Sequence, residues 1–364
     1  LVSEPDRAGH AMTILTAMLL ERFENGNAAP LSVVSMDNCS QNGKRLRDAV
    51  LTVTREWCER GIVSTDFADW VSDEEQVAFP WTMIDKITPG PDASVSAMLE
   101  ADGLEAGTPF VNAEESEYLV IEDNFPNGRP ALEKAGIYFT ARETVDQVER
   151  MKVCTCLNPL HTTLAVYGCL LGFDRIWKEM QDEDLNKLVN VIGYKEGLPV
   201  VVNPGILDPQ AFIDEVVKVR LPNPFMPDAP QRIATDTSQK LPIRFGETLK
   251  KYEERGLDKD NLVLIPLVLA GYARYLKGIN DAGEAFEPSP DPLLAELQAI
   301  VAPLEVKEGE QDFSCLKNLY SRADVFGLNL YEAGLGEKIE GMVAELYAGP
   351  GAVRKTLHKY VSAR

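Results

Sequence analysis

Met151-Lys-Val-Cys-Thr-Cys-Leu-Asn-Pro-Leu-His161 places a lysine, an asparagine and a histidine close together on an otherwise apolar helical segment. Burial penalises a lysine's charged form, so a desolvated Lys152 can give or take a proton near neutrality. Asn158 can polarise an oxygen without titrating. A residue before proline is pushed out of the helical region, so Asn158 marks a break that can open onto a cleft. Carbonyl reduction needs this combination, a proton donor at the nascent hydroxyl and hydrogen-bond donors for the developing alkoxide. A plainer reading also fits: Lys152 snorkels at a helix edge, Asn158 ends the helix and His161 is a satisfied core residue.

Outward from this stretch the two sides differ. Beyond it, helical patterns follow one another over 144–173, 183–192, 209–219, 229–255, 261–279, 291–302, 312–322, 335–347 and 351–362, with Pro199-Val-Val-Val202 as a short strand signal. Before it, Leu31-Ser-Val-Val-Ser35, Tyr118-Leu-Val-Ile121 and Ile137-Tyr-Phe139 read as strands. Leu46, Val50, Val53 and Trp57 recur at helical spacing, and Gly61 closes that helix. The expectation is an α/β region over 1–141 and an all-helical domain over 142–364. No Gly-x-Gly-x-x-Gly follows a strand, and Ala333-Gly-Leu-Gly336 lacks both the third glycine and a preceding strand. The phosphate-binding first half of a dinucleotide fold is therefore expected to lie outside this chain.

Composition narrows the function classes. With 36 Lys and Arg against 57 Asp and Glu, the formal charge of -21 argues against nucleic acid or an anionic membrane as partner. A small anionic substrate needs only a local basic pocket. The 6 cysteines sit mostly in apolar segments and the 3 histidines are scattered, so neither a disulfide framework nor a His-rich metal site is expected. The longest apolar run, Leu262 to Ala270, is interrupted by Pro266 and too short for a membrane span. A cytoplasmic setting follows as the expectation.

The motifs together resemble the mannitol dehydrogenase family, the long-chain polyol dehydrogenases that include fructuronate and tagaturonate reductases. The stretch 151–161 resembles its catalytic Lys…Asn-x-x-His motif. Ser35-Met-Asp-Asn38 with Asn42-Gly43, Phe79-Pro-Trp-Thr-Met-Ile-Asp-Lys-Ile-Thr-Pro89 and Leu119-Val-Ile-Glu-Asp-Asn-Phe-Pro-Asn-Gly-Arg-Pro130 are similar to three further elements. Arg220-Leu-Pro-Asn-Pro224 and Arg232-Ile-Ala-Thr-Asp-Thr-Ser-Gln-Lys-Leu-Pro242 are similar to its substrate-binding helices. The resemblance implies a remnant of a Rossmann-type α/β domain followed by a mostly helical catalytic domain, and metal-independent hydride transfer with NAD or NADP. Lys152 would be the general acid/base, with Asn38 and Asn158 flanking the reacting oxygen and Asn38 also meeting the cofactor. His161, Asp85, Arg232 and Lys240 would bind substrate. Arg232 and Lys240 stand about 80° apart on an ideal helix. The family spaces its lysine five residues before the asparagine; here it is six, about 120° on a regular helix. The assignment therefore requires a bulge or an early helix end, with Arg150 and Lys86 as weaker stand-ins.

Within the family the hexuronate branch is favoured, through Asp236-Thr-Ser-Gln-Lys-Leu-Pro242 and Val120-Ile-Glu-Asp-Asn-Phe125, with fructuronate reduced to mannonate. Two cations suit a carboxylate. Tagaturonate reduction and mannitol 2-dehydrogenase activity stay open. So does a non-catalytic sugar-acid-binding or oligomerisation module, which the absent glycine-rich turn favours. A metal-dependent lyase or isomerase would need clustered ligands that the sequence does not offer.

Overall fold

A computed structural model describes residues 3–26, 29–84, 86, 91–111 and 118–364. The chain divides into two compact units, Leu1–Glu149 and Arg150–Arg364, the division falling a few residues after the expected boundary at 141. The difference is local: α5 (Arg142–Met151) is a continuous helix that begins in the first unit and ends in the second.

The first unit is α/β. Its elements are α1 (Ala11–Glu24), β1 (Leu31–Ser32), α2 (Asn42–Glu59), α3 (Thr65–Ser72), β2 (Val77–Ala78), β3 (Thr82–Ile84), α4 (Ala93–Ala101), β4 (Leu119–Glu122) and β5 (Tyr138–Thr140). β1 runs parallel to β2, while β4 pairs antiparallel with β3 and parallel with β5. The core gathers Leu19 of α1, Val50, Val53 and Trp57 of α2, Phe67 and Val71 of α3, and Val77 of β2. These are the helical and strand periods by which each element hides one face. Gly61, at φ +67, ends α2 in the left-handed conformation, and the Ile62 amide reaches back to the Trp57 carbonyl at 2.8 Å. β2 and β3 were not foreseen, because two- or three-residue strands carry too little alternation to read.

Three of the sequence motifs here are structural clasps. Asn42 is 2 % exposed; its amide donates to the Asp37 carbonyl (2.8 Å) and Thr82 Oγ1 (2.7 Å) and accepts from the Thr82 amide (3.0 Å). A Cβ on Gly43 would lie 2.6 Å from the Pro80 carbonyl oxygen and 2.7 Å from that of Phe79, so only glycine lets α2 approach the β2–β3 connection. Arg129 grips both oxygens of Asp123 at 2.7 and 3.1 Å, bonds Glu133 at 2.7 Å and lies 3.4 Å from the centre of the Phe139 ring. Glu122, buried, takes the Trp81 amide and Arg142 Nε, both at 3.0 Å.

The second unit is helical. After α5 come α6 (Asn158–Leu171), α7 (Ile176–Glu179), α8 (Glu183–Asn190), α9 (Pro209–Glu215), α10 (Pro230–Ile233), α11 (Thr237–Leu241), α12 (Glu247–Glu254), α13 (Leu264–Leu276), α14 (Leu294–Val301), α15 (Leu316–Tyr320), α16 (Ala323–Phe326), α17 (Gly336–Leu346) and α18 (Ala352–Ser362). The expected strand at 199–202 is not formed: Leu198–Val200 is a 3-10 turn continuing from a wider helical segment. α13 is buried along its whole length, as its all-round apolar sequence demands, and packs on α6 and α17. Its exposed N-terminal amides are closed by Glu196, whose two oxygens accept from Val263 and Leu264 (2.9 Å each) and Ile265 (2.7 Å). Pro266 sits in that first turn, where no helical N–H is lost. No helix among the described residues is long and apolar enough to cross a membrane.

Replacing Gly43 by alanine should destabilise the protein by roughly 1–3 kcal/mol through overpacking. Gly341→Ala in α17, where a Cβ meets nothing within 4 Å, should instead stabilise it by about 0.5–1 kcal/mol. Denaturant unfolding of both variants beside wild type measures the difference, and equal behaviour would refute the close-approach argument.

Candidate functional site

The helix expected over 144–173 is interrupted between Lys152 and Asn158. Lys152–Cys156 form a π-helical turn, closed by the Leu157 amide on the Lys152 carbonyl at 3.1 Å. Leu157 then leaves helical geometry at φ -127, and α6 restarts at Asn158 with Pro159 in its first turn. This wide turn is the bulge that the six-residue spacing required. Lys152 is only 4 % exposed, while Asn158 and His161, both partly exposed, share the first turn of α6.

The segment expected as one helix over 229–255 is likewise broken. α10 ends at Ile233, Asp236 takes a left-handed φ of 54, α11 follows, and Pro242–Gly246 make another π turn before α12. The single-helix angle between Arg232 and Lys240 is therefore corrected. They approach by a fold-back: Lys240 Nζ donates to the carbonyls of Ile233 and Thr235 at the end of α10. Arg232 pairs with the buried Asp228 one turn before it.

Electrostatics show what gathers around His161. Burial pushes its pKa down to about 4; Asp228 opposes the shift, and Arg244, Arg220 and Arg232 add to it. The imidazole is neutral at physiological pH. Burial, with Arg244 next, also lowers Lys240 to about 8; Asp236 and Asp291 work against this, and Arg232 with it. His161, Arg232, Lys240, Arg220, Arg244 and Asp228 thus form one interacting cluster. Sequence reasoning missed Arg244 and Asp228 and left Arg220 unassigned. Arg244 had a signal, since it falls one helical turn after Lys240. Asp228 had none beyond its i,i+4 spacing to Arg232.

Of the remaining expected residues, Asn38 lies in the first unit, exposed, its amide donating to the Lys86 carbonyl at 3.4 Å. It belongs to the loop that leaves the C-terminal end of β1, the end at which parallel sheets receive ligands. Asp85 lies outside the described residues. No group of three His, Cys, Asp or Glu side chains able to hold a metal occurs among the described residues. All 6 cysteines are free thiols.

A histidine whose folded pKa is depressed binds its proton more readily when unfolded. Its stabilising contribution is complete above about 6.5 and is lost as pH falls toward about 4. His161→Asn should therefore lose less stability than wild type between pH 7 and pH 4.5. Urea denaturation at several pH values compares the two, and parallel curves would contradict the lowered pKa of His161.

Comparison with known proteins agrees with this architecture. The family model for the mannitol dehydrogenase Rossmann domain matches residues 4–134, and that for the mannitol dehydrogenase C-terminal domain matches 144–346. A D-mannonate oxidoreductase of Thermotoga maritima is 51 % identical over 96 % of this chain and 67 % of its own length. One from Escherichia coli is 34 % identical over 83 % of this chain and 58 % of its own. The solved ternary complex of Pseudomonas fluorescens mannitol 2-dehydrogenase with NAD and D-mannitol superposes with a TM-score of 0.75 at 25 % identity, over 99 % of this chain and 68 % of that one. The chain thus spans about 58–68 % of the length of these relatives. Its α/β unit is a Rossmann domain, its helical unit is the family's C-terminal domain, and the chain belongs to the mannitol dehydrogenase family.

Proposed function

We propose that the protein to which this chain belongs is a metal-independent, NAD- or NADP-dependent oxidoreductase of open-chain sugar acids, reducing fructuronate to mannonate. The observation that carries the reading is the π turn, which buries Lys152 and begins a new helix at Asn158. Similarity to D-mannonate oxidoreductases supports the substrate class, and the NAD-bound mannitol 2-dehydrogenase supports the cofactor. Six free thiols are consistent with a reducing, cytoplasmic setting. The partners of this reading are a nicotinamide cofactor and a small sugar acid.

The chemistry a reduced nicotinamide supplies when bound is a hydride for the carbonyl carbon. This chain's residues handle the oxygen. Lys152 donates the proton that turns the alkoxide into a hydroxyl. Asn158 donates a hydrogen bond to the same oxygen, worth most in a water-poor site. Asn38 keeps the role implied by the resemblance, an amide for the reacting oxygen and the nicotinamide. Neutral His161 can hydrogen-bond a substrate hydroxyl without adding charge, and Arg232, Lys240 and Asp85 are proposed for the remaining polar groups.

In full-length protein, NADH or NADPH oxidation followed with fructuronate, tagaturonate and fructose should show fructuronate turnover. Lys152→Ala should lower that rate by about 10²–10⁴-fold; reduction of fructose alone would move the substrate to the polyol branch, and no reduction at all would refute the enzyme reading. Lys240 loses its proton as pH rises through about 8, so the KM for an anionic substrate should rise across that range. Lys240→Arg should remove the rise, and an unaltered pH profile would exclude Lys240 from anion binding.

A further inference from the structure

Two arginines are buried in the helical unit, and they differ in how their donors are met. Arg274 is fully buried on α13: Nε donates to the Leu346 carbonyl (3.3 Å), Nη2 to that of Asn280 (3.0 Å) and Nη1 to that of Ile279, with the Tyr347 ring 5.4 Å away. Each of its three guanidinium nitrogens therefore has an acceptor within the fold. Arg244, in the π turn Pro242–Gly246, is 9 % exposed. Its Nη1 donates to Thr162 Oγ1, but its buried Nε has no hydrogen-bond partner among the described residues. Burial lowers its pKa to about 10, with only Cys154 acting against this, and no carboxylate among the described residues acts on it. A buried guanidinium with an unmet donor and no counter-charge is costly unless something else completes it.

Its surroundings say what that is. Thr162 directly follows His161, and the charge of Arg244 acts on both His161 and Lys240. The two cations expected from sequence to hold a carboxylate are already engaged, Arg232 by Asp228 and Lys240 by two backbone carbonyls. Arg244 is the cation of this cluster that has a buried donor to spare. A carboxylate matches the planar fork of a guanidinium and would supply both the missing acceptor and the missing charge.

Resting on the sugar-acid reading above, we propose that Arg244, held by Thr162, receives the substrate's carboxylate and is the residue by which the site prefers sugar acids to neutral polyols. It is a specificity determinant that leaves proton transfer to Lys152.

The test uses full-length protein and begins with binding, independent of turnover. Calorimetric titration with mannonate, mannitol and inorganic phosphate should show mannonate bound more tightly than mannitol, and Arg244→Met should weaken mannonate about 10- to 100-fold, the range for a charged hydrogen bond. Thr162→Val should weaken it less, and Arg244→Lys should keep part of the preference. In steady state, the ratio of kcat/KM for fructuronate to that for fructose should fall by the same factor in Arg244→Met, chiefly through KM. Because a misfolded variant loses both substrates together, equal losses would assign Arg244 a structural role and overturn the proposal. Unchanged mannonate binding, or Arg244-dependent binding of phosphate without mannonate, would overturn it as well. Arg244-dependent mannonate binding in a wild-type protein that reduces nothing would refute the enzyme reading and leave this one standing.

Discussion

One hydrogen bond organises the segment from Met151 to His161, that from the Leu157 amide to the Lys152 carbonyl. An α-helix would have carried the chain past this point in register, with Lys152 and Asn158 well apart around the axis. Accepting a bond from five residues on widens the turn and ends the helix, and the next one starts on a residue followed by proline, which needs no amide partner there. Lys152 remains under the surface while Asn158 and His161 share the first turn of α6. The π turn Pro242–Gly246 packs against Lys152–Cys156, and the Thr248 hydroxyl just after it bonds the Cys154 carbonyl at 3.1 Å. Gly246 meets the Phe326 carbonyl so closely that any side chain there would collide. Such widened turns trade helical regularity for side-chain placement.

The helical unit tolerates this because its centre is settled elsewhere. α13 is apolar on every side, and Glu196 closes its N-terminus from a distant part of the chain. Burial raises the pKa of that carboxyl and the three amides oppose the rise, so the group is held by geometry more than by charge. Arg274 anchors the other end of α13 on three carbonyls. Arg244, by contrast with Arg274, keeps a buried Nε without a partner among the described residues. Arg244 is not alone in this, since both carboxylate oxygens of the buried Glu179 also lack a partner among the described residues, but it is Arg244 whose charge acts on His161 and Lys240.

In the first unit, several motifs that carried the family resemblance turn out to hold the fold. Asn42 and Gly43 bring α2 against the strand connection, and Arg129 clasps Asp123, Glu133 and Phe139. Glu122 does the same for Trp81 and Arg142. Such residues are distinctive because each is fitted to one neighbour, whether or not it touches a substrate.

What the sequence by itself determined was whatever lies in local pattern: an α/β unit ahead of a helical one, the C-terminal end of α2 at Gly61, and a break in the helix ahead of Pro159. These follow from side-chain periodicity, proline stereochemistry and residue chemistry, all readable within a few turns of chain. Only the tertiary structure decided the rest. It placed the helix breaks within 229–255, where Asp236 turns left-handed and its amide bonds the distant Pro290 carbonyl at 2.9 Å. It engaged Arg232 and Lys240 with partners of their own, and it brought Arg244 to Thr162 across 82 positions of sequence. A hydrogen-bond donor's fate depends on which acceptors long-range packing brings near, and no local pattern encodes that.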